Sequence, residues 1–216
     1  MEQNIVEKTK AFVKHQLKNA EGGHDWYHIE RVYKNALLIL REENGNSLVV
    51  QLAALLHDIA DSKFHNGDET IGPETARVFL ENEEVDTDII NHVIAIIENI
   101  SFKGGNFERK FNSLELDIVQ DADRLDAIGA VGIARAFNYG GFKNRALYNP
   151  EIEPKLNMSK EEYKNSSAPT INHFYEKLLL LKDRMNTTKG RKIAESRHAY
   201  MENFLARFYA ECEGEI

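Results

Sequence analysis

With 216 residues, 42% of them hydrophobic and 29% charged, the chain is long enough to bury a real interior and is unlike a disordered polypeptide. A net charge of -8 at pH 7 excludes a general nucleic-acid binder, because neutralising a phosphate backbone takes a basic face, yet it leaves room for a small phosphorylated substrate. The longest apolar stretch, residues 48–56, is interrupted by Gln51 and too short to span a bilayer, which excludes a membrane protein.

The start MEQNIVEKTK has no apolar signal core and Cys212 is the only cysteine, so the expected compartment is the cytoplasm, without an internal disulfide. All four prolines lie at or after Pro73, and long stretches of Ala, Leu, Ile, Glu and Lys favour helix. The first clear stripe, Ile29, Val32, Tyr33, Ala36, Leu37 and Leu40, predicts an amphipathic helix with His28 in its first turn. His24 and Asp25, just ahead of it, read as capping residues or as the rim of a pocket. LVVQLAALL (48–56) follows the capping candidates Asn46 and Ser47, is apolar on almost every side, and predicts a buried central helix. Two more helices are expected, one starting near Pro73 and one after an Asp86 cap, striped by Ile89, Ile90, Val93, Ile94 and Ile97. After the SFKGGN loop, residues 114–137 resume helical periodicity, with a break near Gly129 or Gly132. Residues 138–166 show none and read as a functional lid or rim. Two closing helices are predicted, one striped by Ile171, Phe174, Tyr175, Leu178 and Met185, the other by Ile193, Tyr200, Met201, Phe204 and Phe208. With no useful β-alternation and no internal repeat, the expectation is an all-α bundle with a long irregular loop and two C-terminal helices. It is expected to form one domain over 1–216, with a core at about 20–140 and a helical extension at about 167–212.

Polar residues interrupt this apolar plan at informative places. His57 and Asp58 directly follow the apolar helix, where a carboxylate pays a desolvation penalty unless a cation or strong donors compensate it. Taken alone, the pair also fits a buried His and Asp bonded to each other or to a helix end. Asp123 lies on the face marked by Leu116, Val119, Ala127 and Ala130, with Asp126 on the same side, whereas Asp121 shares a face with Asp117 and Arg124 and reads as solvated surface. His28, His57, Asp58 and Asp123, inward on three helices, form a set that an apolar core tolerates around an ion. Two imidazoles and two carboxylates suit one divalent cation, Mn first, with Fe, Co, Ni or Mg as alternatives. Open positions on such an ion take water and a substrate oxygen, as metal-assisted hydrolysis requires.

His28, then LLHDIAD (55–61), then DADRLDAIGA (121–130) resembles the HD-domain superfamily of metal-dependent phosphohydrolases, and the flanking GHDWYHIERV and AIGAVGIARAF strengthen the likeness. The order H…HD…D and its spacings are similar to those of small single-metal members. The resemblance implies an all-helical HD-domain fold, one divalent cation on these four residues, and activity on nucleotides or other phosphate esters. The subgroup with GHDWYH and SFKGG is similar to bacterial nucleoside triphosphate pyrophosphohydrolases. Dinuclear members carry two further histidines between the HD pair and the last Asp; His65 and His92 lie in that interval and match poorly, which implies a single metal.

Around this set, Asp61 is expected to be the general base or to orient water, its alternative being a polar turn residue. Asp126 is the other candidate base, or a partner of a histidine ligand. Lys63, Lys103, Arg124 and Lys177 are candidate cations for substrate phosphates, with plain surface as the alternative for each loop lysine. His65 reads as a second acid or as exposed, and His15, His173 and His198 as structural. The favoured reaction is nucleoside triphosphate to monophosphate plus pyrophosphate, with a 5'-nucleotidase, a triphosphohydrolase or a cyclic-nucleotide phosphodiesterase as rivals. A non-catalytic nucleotide sensor is the alternative of another class, disfavoured by the intact ligand set. The expected partner is a small phosphorylated molecule, and a homo-oligomer is compatible with the sequence.

Overall fold

The computed structural model describes residues 2–18, 20, 25–59, 68, 70–100, 111–156, 158, 162 and 166–216. Among them no strand occurs, and the all-α expectation holds. The chain forms two compact units, Met1–Asp123 and Arg124–Ile216.

The first unit is built on α1 (Glu2–Gln16), α2 (Trp26–Leu40), α3 (Ser47–Leu56), α4 (Ile71–Asn82), α5 (Thr87–Asn99) and most of α6 (Leu114–Asp126). Helix α3 is its hub, packed against α1, α2 and α5, while α4 packs on α5. That position follows from composition: Leu52, Ala53, Ala54, Leu55 and Leu56 are all fully buried, so α3 has no face suited to water. Its one polar interruption, Gln51, is accommodated by accepting the Tyr33 hydroxyl at 2.8 Å. The helix starts are set by short polar side chains. Asp25 accepts from the amide of His28, Asn46 from Leu48 and Val49, and Asp86 from Asp88 and Ile89. Asp25 is thus a cap, while His24 lies outside the described residues.

The second unit holds α7 (Gly129–Phe142), the short α8 (Asn172–Glu176), a 3-10 segment (Leu178–Arg184) and α9 (Thr188–Cys212), with α9 packed on α7 and on the 3-10 segment. The break between α6 and α7 is where the glycines predict it. Gly129 adopts φ +75°, and a Cβ on it would stand 3.0 Å from the Arg197 stem. A Cβ on Gly132 would meet the Ala127 carbonyl oxygen at 2.2 Å.

Three expectations need correction here. The irregular segment starts at 143 rather than 138, because α7 continues through Gly140 and Gly141. Gly140 is buried for close packing, since a Cβ there would lie 2.1 Å from Thr170 Oγ1. The helix expected from Ile171 to Met185 is broken at Lys177, whose φ of -145° and ψ of -56° leave the helical region. Beyond it Leu178 and Leu181 bury at the i, i+3 spacing of a 3-10 turn. On α9 the buried line is Gly190, Ala194, Met201 and Leu205, and Tyr200 is 56% exposed. Tyr200 sits one residue, about 100° of helix rotation, from Met201 and so falls off that face. Phe204 and Phe208 flank it and join Phe137 and Phe174 in an aromatic cluster with centroids 5.9–6.4 Å apart.

Candidate metal centre

Helix α2 brings His28 into the first unit with only 2% of its side chain exposed. The Asp25 cap holds the turn that carries it, accepting the His28 amide at 3.0 Å. His57 caps the C-terminal end of α3, and its Nδ1 lies 3.0 Å from the Ala54 carbonyl oxygen. A carbonyl oxygen only accepts, so the proton sits on Nδ1 and the lone pair of Nε2 is left to bind a cation. The two rings meet edge to face, centroids 5.4 Å apart. Asp58, next in the chain, completes a group in which His28, His57 and Asp58 each offer one ligand atom, all within 4.8 Å of one another.

Asp123 on α6 approaches the two histidines of this group. Its Oδ1 lies 3.7 Å from His28 Nε2 and 3.9 Å from His57 Nε2. Two donors each about 2.1 Å from one ion stand about 3.0 Å apart as octahedral neighbours and at most about 4.2 Å apart when opposite. Both separations fall inside that range. Asp123 therefore stands at a ligand-to-ligand distance from both imidazoles, and imidazoles together with carboxylates fit a hard or borderline divalent cation. The Asp123 side chain is 40% exposed, so that it reaches solvent.

The reading of Asp121 as surface is overturned, because Asp121 is fully buried. Helix α6 carries a second buried stripe, Ile118, Asp121, Ala122 and Leu125, at i, i+3, i+4 and i+7. Its apolar members were visible in the sequence and would have flagged Asp121. Sequence reasoning also passed over Asn35 and Gln120, two buried amides. Asn35 Nδ2 donates to the Ala122 carbonyl at 3.2 Å and Gln120 Nε2 to the Ile100 carbonyl at 3.1 Å. His92 packs against Phe111 and lies 2.9 Å from Ser113 Oγ and 3.4 Å from Glu115 Oε2.

Asp61, Lys63, His65 and Lys103 lie outside the described residues. In the second unit, Asp126 is buried with Oδ2 2.7 Å from Arg135 Nη1, and Arg124 Nη1 donates to the Arg184 carbonyl. Lys177 sits half-buried at the break after α8. Burial, helped by the Lys177 and Arg145 cations, pushes the neighbouring His173 imidazole down to about 3.

The HD domain family model matches residues 25–128. Over 98% of its length the chain is 38% identical to the uncharacterized protein YpgQ of Bacillus subtilis, spanning 93% of that protein. Its fold is similar to the crystal structure of a HD-superfamily hydrolase from Bacillus thuringiensis, with TM-score 0.80, 44% identity and 99% of each chain covered. It is also similar to Bacillus subtilis YpgQ crystallised in complex with ADP, with TM-score 0.77, 34% identity, and 97% and 96% of the two chains covered. The class so defined is an all-helical, metal-dependent phosphohydrolase. The chain belongs to the HD-domain superfamily.

Proposed function

We propose that the chain hydrolyses a phosphoanhydride bond of a nucleotide, with His28, His57, Asp58 and Asp123 holding one divalent cation, manganese in first place. The grouping of His28, His57 and Asp58, with Asp123 Oδ1 within 3.9 Å of both imidazole Nε2 atoms, carries the reading. A divalent ion held there supplies water of lowered pKa and neutralises charge on the phosphoryl group. The favoured bond is Pα–O–Pβ of a nucleoside triphosphate, a preference that rests on the resemblance to pyrophosphohydrolases. Water oxygen bonds to the α-phosphorus, the bridging oxygen leaves with pyrophosphate, and the water proton passes to a carboxylate and then to solvent. We assign that carboxylate to Asp61, the acid three residues beyond Asp58, and the binding of the departing phosphates to Lys63 and Lys103, with Arg124 and Lys177 as weaker candidates. Asp126, already engaged by Arg135, is the alternative base. The ADP complex of the similar YpgQ supports a nucleotide ligand.

The test is purified protein with manganese, assayed on a panel of nucleotides for phosphate and pyrophosphate. The reading expects turnover that EDTA and Asp58→Ala abolish, with pyrophosphate and nucleoside monophosphate in equal amounts. Nucleotide binding without product would replace the enzyme with a sensor, and phosphate or tripolyphosphate as the product would move the cleaved bond.

A further inference from the structure

The two buried amides of the first unit have no place in the reaction, yet both end on or beside helix α6. Asn35 is 8% exposed and Gln120 7%. A carboxamide taken out of water costs free energy unless its bonds are made, so each earns retention only where its partner is in place. Asn35 lies seven residues after His28 on α2, two turns along the same face, and its Nδ2 donates to the carbonyl of Ala122, the residue just before Asp123. Gln120, on α6 itself, donates to the carbonyl of Ile100, at the end of α5. Near these bonds α6 buries Leu116, Ile118, Val119, Asp121 and Ala122, while at its first turn Glu115 Oε1 accepts from the Asn46 amide at 2.8 Å. Apolar packing is non-directional and tolerates a helix sliding or rotating slightly, whereas an amide-to-carbonyl bond does not. One residue of slip moves a helix about 1.5 Å along its axis and turns it about 100°. A metal ligand tolerates roughly 0.5 Å.

We infer that Asn35 and Gln120 are positioning residues that clamp the register of α6, so that Asp123 stands at ligand distance from His28 and His57. The inference rests on the metal-site reading above. Asn35 couples the two ligands directly, because the helix that presents His28 also holds the backbone beside Asp123. Gln120 fixes the same helix from a second direction. Ile96, fully buried on α5, provides a contrast: its truncation removes apolar packing and neither of the two amide side chains.

The experiment is titration of metal-free protein with Mn(II), followed by electron paramagnetic resonance of the free ion, on wild type, Asp58→Ala, Asn35→Leu, Gln120→Met and Ile96→Ala, with thermal unfolding of each in EDTA. Asn35→Leu and Gln120→Met are expected to weaken Mn(II) binding about tenfold, the range for removing a group that orients a ligand. Ile96→Ala is expected to lower the unfolding temperature and keep wild-type affinity. Gln120→Met, which keeps length and near volume, decides the matter if Asn35→Leu does not fold. Wild-type affinity in folded Asn35→Leu and Gln120→Met overturns the clamp alone. Equal weakening in Ile96→Ala also overturns it, reducing the amides to general stability. No Mn(II) binding by wild type, or undiminished binding by Asp58→Ala, overturns the metal site and the clamp together.

Discussion

Removing Arg135 should cost far more than neutralising its partner. The Asp126 side chain is 2% exposed and Arg135 23%, with Arg135 Nη1 2.7 Å from Asp126 Oδ2 and also 3.3 Å from the Asp126 carbonyl oxygen. Arg135→Met strands a carboxylate that water barely reaches, and breaking a buried pair in this way costs about 3–5 kcal/mol. Arg197 offsets a part. Its guanidinium donates to the Leu125 carbonyl, and while burial lowers its pKa, the Asp126 charge raises it. The lower end, about 3 kcal/mol, is therefore expected. Asp126→Asn leaves a cation that still reaches solvent and keeps its carbonyl partner, so its cost should be about 1 kcal/mol, that of one hydrogen bond. For a chain of this length each kcal/mol moves the unfolding temperature by about 2–4 °C, so the two variants should fall by about 6–12 °C and about 2–4 °C. The assay is thermal unfolding by circular dichroism in EDTA, so that metal binding does not enter. Equal losses, or a larger loss for Asp126→Asn, would refute the view that Asp126 is a charge held by its arginines.

Desolvation of the half-buried His173 ties stability to pH. Its folded-state value of about 3 lies below the ordinary 6.5, so the unfolded chain binds the proton first. The stability it contributes is complete above pH 6.5 and drains away as pH falls towards 3, at up to about 1.4 kcal/mol per pH unit. His173→Phe should flatten that slope in urea unfolding at pH 7, 6 and 5, and an unchanged slope would count against a desolvated neutral imidazole. Divalent metal should stabilise the wild type by about 2.7 kcal/mol at a hundredfold excess over its dissociation constant. His57→Ala and Asp58→Ala should each abolish that gain in a thermal shift with and without manganese.

Much of the candidate site was legible because its signals are local. Asp25, Asn46 and Asp86 announce helix starts within three residues of the amides they accept from. The apolar run 48–56 announces a helix buried on almost every side, at whose end stand His57, its side chain 5% exposed, and the half-buried Asp58. Gly129 and Gly132 likewise mark the turn between α6 and α7, because a Cβ on either meets its surroundings at 3.0 Å or less.

What the chain alone could determine, then, was its helical character, the starts and faces of the well-capped helices, and a set of polar candidates that interrupt apolar stripes. Tertiary structure alone decided that Asp121 is buried and Asp123 half-open, that Asp126 is held by Arg135, that α7 runs past residue 138, and that Asn35 reaches Ala122. The physical reason is range. Capping and periodicity act within a turn or two of helix, whereas the covering of a second face and the partner of a buried amide or carboxylate depend on residues far away in the chain, 87 positions away for Asn35 and Ala122.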